Sequence, residues 1–130
     1  MTKEEHVRFW VESSEQDLPV MEGLLDKGHF VWALFVGHLV LEKILKALYV
    51  QNHAATPPFT HHLLKLGRDA GLSLDADQED FLLEVTNYNI QGRYPDFKRA
   101  LQNKATPEYT RERIHRIKEF RLWLDSLITR

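Results

Sequence analysis

A chain of 130 residues suits one domain, 1–130, built on one core, and it is too short for two. Its 43% apolar and 28% charged residues are the proportions of a folded soluble protein, which excludes a disordered chain and a membrane-embedded one. The lack of cysteine excludes disulfides, thiolate chemistry and Cys-rich zinc sites, and it fits a reducing cytoplasm. The start, MTKEEHVRFW, has neither the basic segment nor the apolar run of a signal peptide.

The net charge of −2 hides an asymmetry. Residues 1–90 carry 7 Lys+Arg against 14 Asp+Glu, and residues 91–130 carry 10 against 5, so −7 and +5 sum to −2. A basic C-terminal part can attract phosphate on a nucleotide or RNA, or it can be a solvated face that complements the acidic part of the same molecule.

No stretch alternates apolar and polar residues, and helical spacing recurs almost throughout, so the chain reads as all-α. The first helix begins at a capping box of Thr2 and Glu5, carries the apolar residues Val7, Trp10, Val11, Leu18, Met21, Leu24 and Leu25, and ends before Gly28. Pro19 either kinks this helix or starts a second. From His29 the segment HFVWALFVGHLVLEKILKALYVQNH is apolar on every face up to Glu42 and is the central helix. Its apolar run is too short for a membrane span, which needs roughly 20 residues. Pro57 and Pro58 break the chain, and Thr60 caps a short helix that stops near Gly71. Asp75 and Gln78 form a second capping box for a helix that buries Phe81, Leu82 and Val85 and runs towards Tyr88. NYNIQGRYPDF, from Asn87 to Phe97, reads as a connector of unusual chemical content. A last helix follows Thr106 and Pro107 and carries Ile114, Ile117, Leu124 and Leu127 on one side. The total is five helices or six.

His38, Glu42 and Lys46, four residues apart, form a polar stripe on a helix otherwise built for burial. Two accounts fit it. The stripe faces solvent, with Glu42 and Lys46 an ordinary pair worth a few tenths of a kcal/mol. Alternatively it lines a crevice beside Arg93, with Glu42 and Arg93 as a charge-assisted pair. The seven histidines offer no metal motif, and adjacent His61 and His62 point in different directions, so His61 reads as an exposed or packing residue. The serines lie in no nucleophile elbow, and there is no P-loop or GxGxxG.

These features together resemble the HEPN domain family, named for higher eukaryotes and prokaryotes nucleotide-binding, in the branch with an RYPD motif in its C-terminal half. The resemblance spans nearly the whole chain. It rests on Asp17 and Leu18, on LLDKGHFVWALFVGHLVLEKILKAL (24–48), on PPFTHHLLKLGRDAGL (57–72), and above all on Y...GRYPD (88–96). It implies an antiparallel up-and-down bundle of about five helices and a homodimer. It also implies a separately encoded minimal nucleotidyltransferase as partner, in a toxin-antitoxin type of pair, with this chain recognising the nucleotide or substrate; no cofactor or metal is assigned to the chain itself.

By the resemblance, the polar positions fall on His38, Glu42, Lys43, Lys46, His61, Arg93, Tyr94, Pro95 and Asp96. The nucleotide- or partner-binding set is then His38, Glu42, Lys46, Arg93, Tyr94 and Asp96. In it Arg93 is a fork for phosphate or for Glu42, and Lys46 a second cation. Tyr94 is a stacking or packing face, and Asp96 a cap after Pro95 or an acceptor for a sugar hydroxyl. The ribonuclease branch of the family carries an Arg followed after four to six residues by a His. Here the next histidine after Arg93 is His115, and Arg111 has only three residues before it, so no catalytic residues are assigned. A ribonuclease or toxin with a different site, in which RNA would be the substrate, and a purely structural interaction scaffold are the alternative readings.

Overall fold

The computed structural model describes residues 1–130, which fold into six helices. They are α1 (Lys3–Asp26), α2 (Phe30–His53), α3 (Leu63–Asp69), α4 (Ala76–Arg93), α5 (Pro95–Lys104) and α6 (Pro107–Ser126). The all-α expectation holds. No helix is long and apolar enough to cross a membrane.

Thr2 caps α1 by accepting from the Glu5 amide at 3.1 Å. The helix then runs unbroken through Pro19. The missing N–H costs it one bond to the carbonyl of Glu15, but both residues are exposed, so water takes the place of the lost donor. Gly28, at φ +79°, ends α1 in the left-handed region, which lets the amides of Gly28 and His29 turn back to the carbonyls of Leu25 and Leu24.

The central helix α2 is apolar all round because neighbours cover it on every side: α1, α3, α4, α5 and α6 all pack on it. Several contacts set the directions. Ser14 of α1 bonds the carbonyl of Val40 and Trp10 lies under Lys46, so α1 and α2 are antiparallel. Ile117 of α6 meets Gly37, and Gln51 bonds the carbonyl of Leu127, so α6 runs parallel to α2. Asn89 of α4 meets His38, and Gly92 packs on Phe35, so α4 is antiparallel to α2. The result is an up-and-down bundle, with one apolar core cluster drawn from all six helices. At Gly37 the side chain of Ile117 in α6 packs directly on α2: a Cβ there would lie 2.7 Å from Ile117 Cδ1.

Two caps match their sequence signals. Asp75 and Gln78 form a complete capping box, and Thr106 accepts from the Tyr109 amide with Pro107 in the first turn. The cap of α3 differs from the expectation. His62, not Thr60, is the N-cap, its Nδ1 accepting from the Lys65 amide, while Thr60 Oγ1 accepts from the His62 amide one step earlier.

The largest difference is in NYNIQGRYPDF. The connector expected there is almost entirely helix: α4 continues to Arg93, α5 starts at Pro95, and only Tyr94 stands between them. Tyr94 takes an extended conformation, φ −104° and ψ 124°, because the ring of the following proline disfavours the helical region. Pro95 then opens α5, where its missing N–H costs nothing.

Candidate functional site

His38, Glu42 and Lys46 are all buried, so the stripe is not a solvent edge. The i, i+4 spacing stacks them along α2, and the connector of residues 54–62 brings a fourth group, His61, across them. Glu42, only 5% exposed, is the hub. Its Oε2 accepts from Lys46 Nζ at 3.2 Å, and its Oε1 accepts from His61 Nδ1 at 2.6 Å. Each carboxylate oxygen therefore has a charge-assisted partner, as a buried carboxylate requires.

His38 holds the connector from below. Its Nε2 lies 2.8 Å from the carbonyl of His61, which can only accept, so that nitrogen carries the proton. Its Nδ1 is then an acceptor, with Asn89 Nδ2 at 3.4 Å. Burial lowers the His38 pKa, outweighing the opposing pull of the His61 carbonyl and Glu42, and the charges of His61 and Arg93 lower it further. Asn89 Oδ1 is buried without a partner.

Because Glu42 takes His61 Nδ1, the other ring nitrogen is turned away from the hub, and the side chain is 53% exposed. His61 is thus an oriented imidazole at the rim of a buried charge cluster. The expectation of an exposed or packing residue captured its exposure and missed its bond. On the other side Lys46 Nζ lies 5.2 Å from the Trp10 ring, so its charge is enclosed between Glu42 and α1. Lys43 points elsewhere and pairs with Asp17 at 2.7 Å.

The expected pairing of Glu42 with Arg93 does not occur. Glu42 is saturated by Lys46 and His61, and Arg93 is exposed at the last turn of α4 with no ion-pair partner. It lies 5.9 Å from the ring of its neighbour Tyr94. Asp96 does not cap α5 either: the N-cap is Tyr94, with no side-chain bond, and Asp96 sits in the first turn, where its charge favours the helix dipole. The structure therefore gathers His38, Glu42, Lys46, His61 and Asn89, while Arg93, Tyr94 and Asp96 stand exposed at the α4–α5 junction. Asn89 gave no warning in the sequence, since one amide in a polar-looking segment has no distinguishing pattern.

A pH dependence follows from His38. With its folded pKa below the ordinary 6.5, the unfolded chain binds more protons as pH falls through that value. Stability should therefore drop on acidification below about pH 6.5, by at most about 1.4 kcal/mol per pH unit from this group. Thermal melts from neutral to mildly acidic pH should show the decline in the wild type and a shallower one in His38→Gln.

The HEPN domain family model matches residues 7–127. Among solved structures, the chain is similar to the crystal structure of TT1696 from Thermus thermophilus. The TM-score is 0.79 at 21% sequence identity, covering 95% of this chain and 98% of that one. At that identity the likeness concerns the fold. No curated protein matches the sequence.

Proposed function

Because the chain belongs to the HEPN domain family, we propose that it is a non-catalytic binding module that recognises a nucleotide at the rim of the Glu42 cluster. In this reading it belongs to the RYPD branch and works as a homodimer beside a separately encoded minimal nucleotidyltransferase. One observation carries the reading: buried Glu42 takes His61 Nδ1 and so turns the second ring nitrogen of that half-exposed imidazole outward. That imidazole, together with the Arg93 guanidinium, which has no ion-pair partner at the end of α4, suits a phosphate. Tyr94, 53% exposed, adds a ring on which a base can stack, and Asp96 an acceptor for a sugar hydroxyl. His38 and Lys46 act from behind, by holding the connector and Glu42.

Calorimetric titration with nucleoside mono- and triphosphates tests this. Heat of binding is expected for the wild type, with affinity about tenfold lower or worse in Arg93→Ala, the loss of one charge-assisted contact. Absence of heat at millimolar nucleotide would sink the nucleotide reading.

The closed hydrogen bonding of Glu42 favours a second reading, in which the cluster only fastens the 54–62 connector to α2. That scaffold would bind no nucleotide, and its melting temperature would be insensitive to Arg93→Ala, since Arg93 has no acid partner. A ribonuclease would instead cleave RNA in a manner abolished by Arg93→Ala.

A further inference from the structure

On the side of the bundle where α2 begins, a hollow of about 260 Å³ lies between the first turn of α2 and α5. Phe30, Val31, Trp32 and Ala105 wall it, and Lys98 and Gln102 stand at its rim. It is smaller than the roughly 300 Å³ at which pockets for whole small molecules begin, so it has room for one side chain.

Two features say what kind of molecule carries that side chain. The first is charge. Between residues 85 and 107 the cations are Arg93, Lys98, Arg99 and Lys104, and the single carboxylate is Asp96. None of these five groups takes part in an ion pair. The second is the state of the aromatic wall. Lys98 Nζ lies 4.3 Å from the Trp32 ring centre, and Phe35 meets the same ring edge-on at 5.8 Å. A base stacking on the Trp32 face that the lysine covers would have to displace it, whereas the ring, 43% exposed, still offers apolar surface with the ammonium in place. Phe97, on the preceding position of α5, is a second exposed aromatic, at 55%. Half-buried aromatic anchors inside a charged rim are the anatomy of a protein-binding hot spot.

We propose that this face docks an acidic segment of another polypeptide, with one apolar side chain of the segment in the hollow beside Trp32 and its carboxylates on Lys98 and Arg99. The proposal rests on the partner-binding side of the reading above and names the chemistry of that partner. The nucleotide rim uses other side chains, so the two can fail separately.

The experiment is selection of short random peptides on the full-length protein, followed by titration of the recovered peptides against the wild type, Lys98→Glu and Trp32→Ala. Recovered peptides should carry Asp or Glu beside a large apolar residue. Their affinity should fall about tenfold or more in each variant and should weaken between roughly 50 and 300 mM salt. Lys98→Glu changes only a partly exposed side chain, so the test stands even if Trp32→Ala fails to fold. Recovery of no peptide, of peptides without carboxylates, or of peptides that bind both variants as well as the wild type would overturn the proposal. So would a wild-type dimer that Lys98→Glu converts to monomer in light scattering, which would give the face to a second copy, or oligo-uridylate binding with the same sensitivity, which would give it to nucleic acid. Nucleotide titration of Lys98→Glu separates the two readings: retained nucleotide heat with lost peptide binding is the expected pattern, and loss of both would overturn the separateness claimed here.

Discussion

Glu42→Ala is expected to destabilise the protein by roughly 3 kcal/mol, the usual scale for removing one partner of a buried ion pair. The cost comes less from the lost bonds than from what stays behind. Lys46, buried at 6% exposure, would keep an ammonium with only the Trp10 ring for company. His61 would lose the acceptor that orients it, and the 54–62 connector would keep only the His38 bond at that point. For a domain of this size the melting temperature should fall by roughly 10 °C. The double variant Glu42→Leu with Lys46→Met removes both charges and should recover most of the loss. Urea melts of the two variants check this, and a single variant within about 1 kcal/mol of the wild type would mean that Lys46 finds solvent readily.

Arg121→Met is expected to act in the opposite direction. Arg121 of α6 faces α1 and α2 at 5% exposure, with Nε donating to Ser14 Oγ at 2.9 Å, and the Ser14 hydroxyl in turn donates to the Val40 carbonyl at 2.8 Å. Its Nη2 is buried with no partner, and no carboxylate pairs with the guanidinium. A buried charge with an unsatisfied donor is costly, and a methionine of similar reach leaves the Ser14 to Val40 bond intact. Stability should rise by about 1 kcal/mol or more, raising the melting temperature by roughly 4 °C. Differential scanning calorimetry decides it. A loss of stability would mean that the guanidinium draws more from its surroundings than the single bond to Ser14.

These two buried charges were not equally visible in the sequence. Glu42 stood out because a polar stripe at i, i+4 interrupts the most apolar segment of the chain. Arg121 did not, because it lies in α6 among exposed basic residues such as Arg111 and Lys118, and nothing local marks the one that turns inward. Asn89 and the bond of His61, itself a polar position by the family resemblance, were hidden for a related reason: each becomes part of the site only through a contact with α2 made across 19 or more residues of sequence. The α4–α5 junction misled in another way. Gly92, Pro95 and the polar residues around them are turn formers by composition, but Pro95 serves as the first residue of a helix and Gly92 as the point where Phe35 packs close, so helix runs up to Tyr94 and resumes after it.

Whatever depends on neighbours along the chain was legible before folding. Helix periodicity, the Asp75 and Thr106 caps, the end of α1 at Gly28 and the burial of α2 all rest on contacts within a turn or two, or on the simple demand that a helix apolar all round be covered. The partners of the charges were settled by packing. A carboxylate at position 42 must be satisfied once buried, but Lys46, His61 and Arg93 were all chemically suitable. Only the path of the 54–62 connector across α2, and the exposure of the last turn of α4, assign Glu42 to the first two and leave Arg93 free.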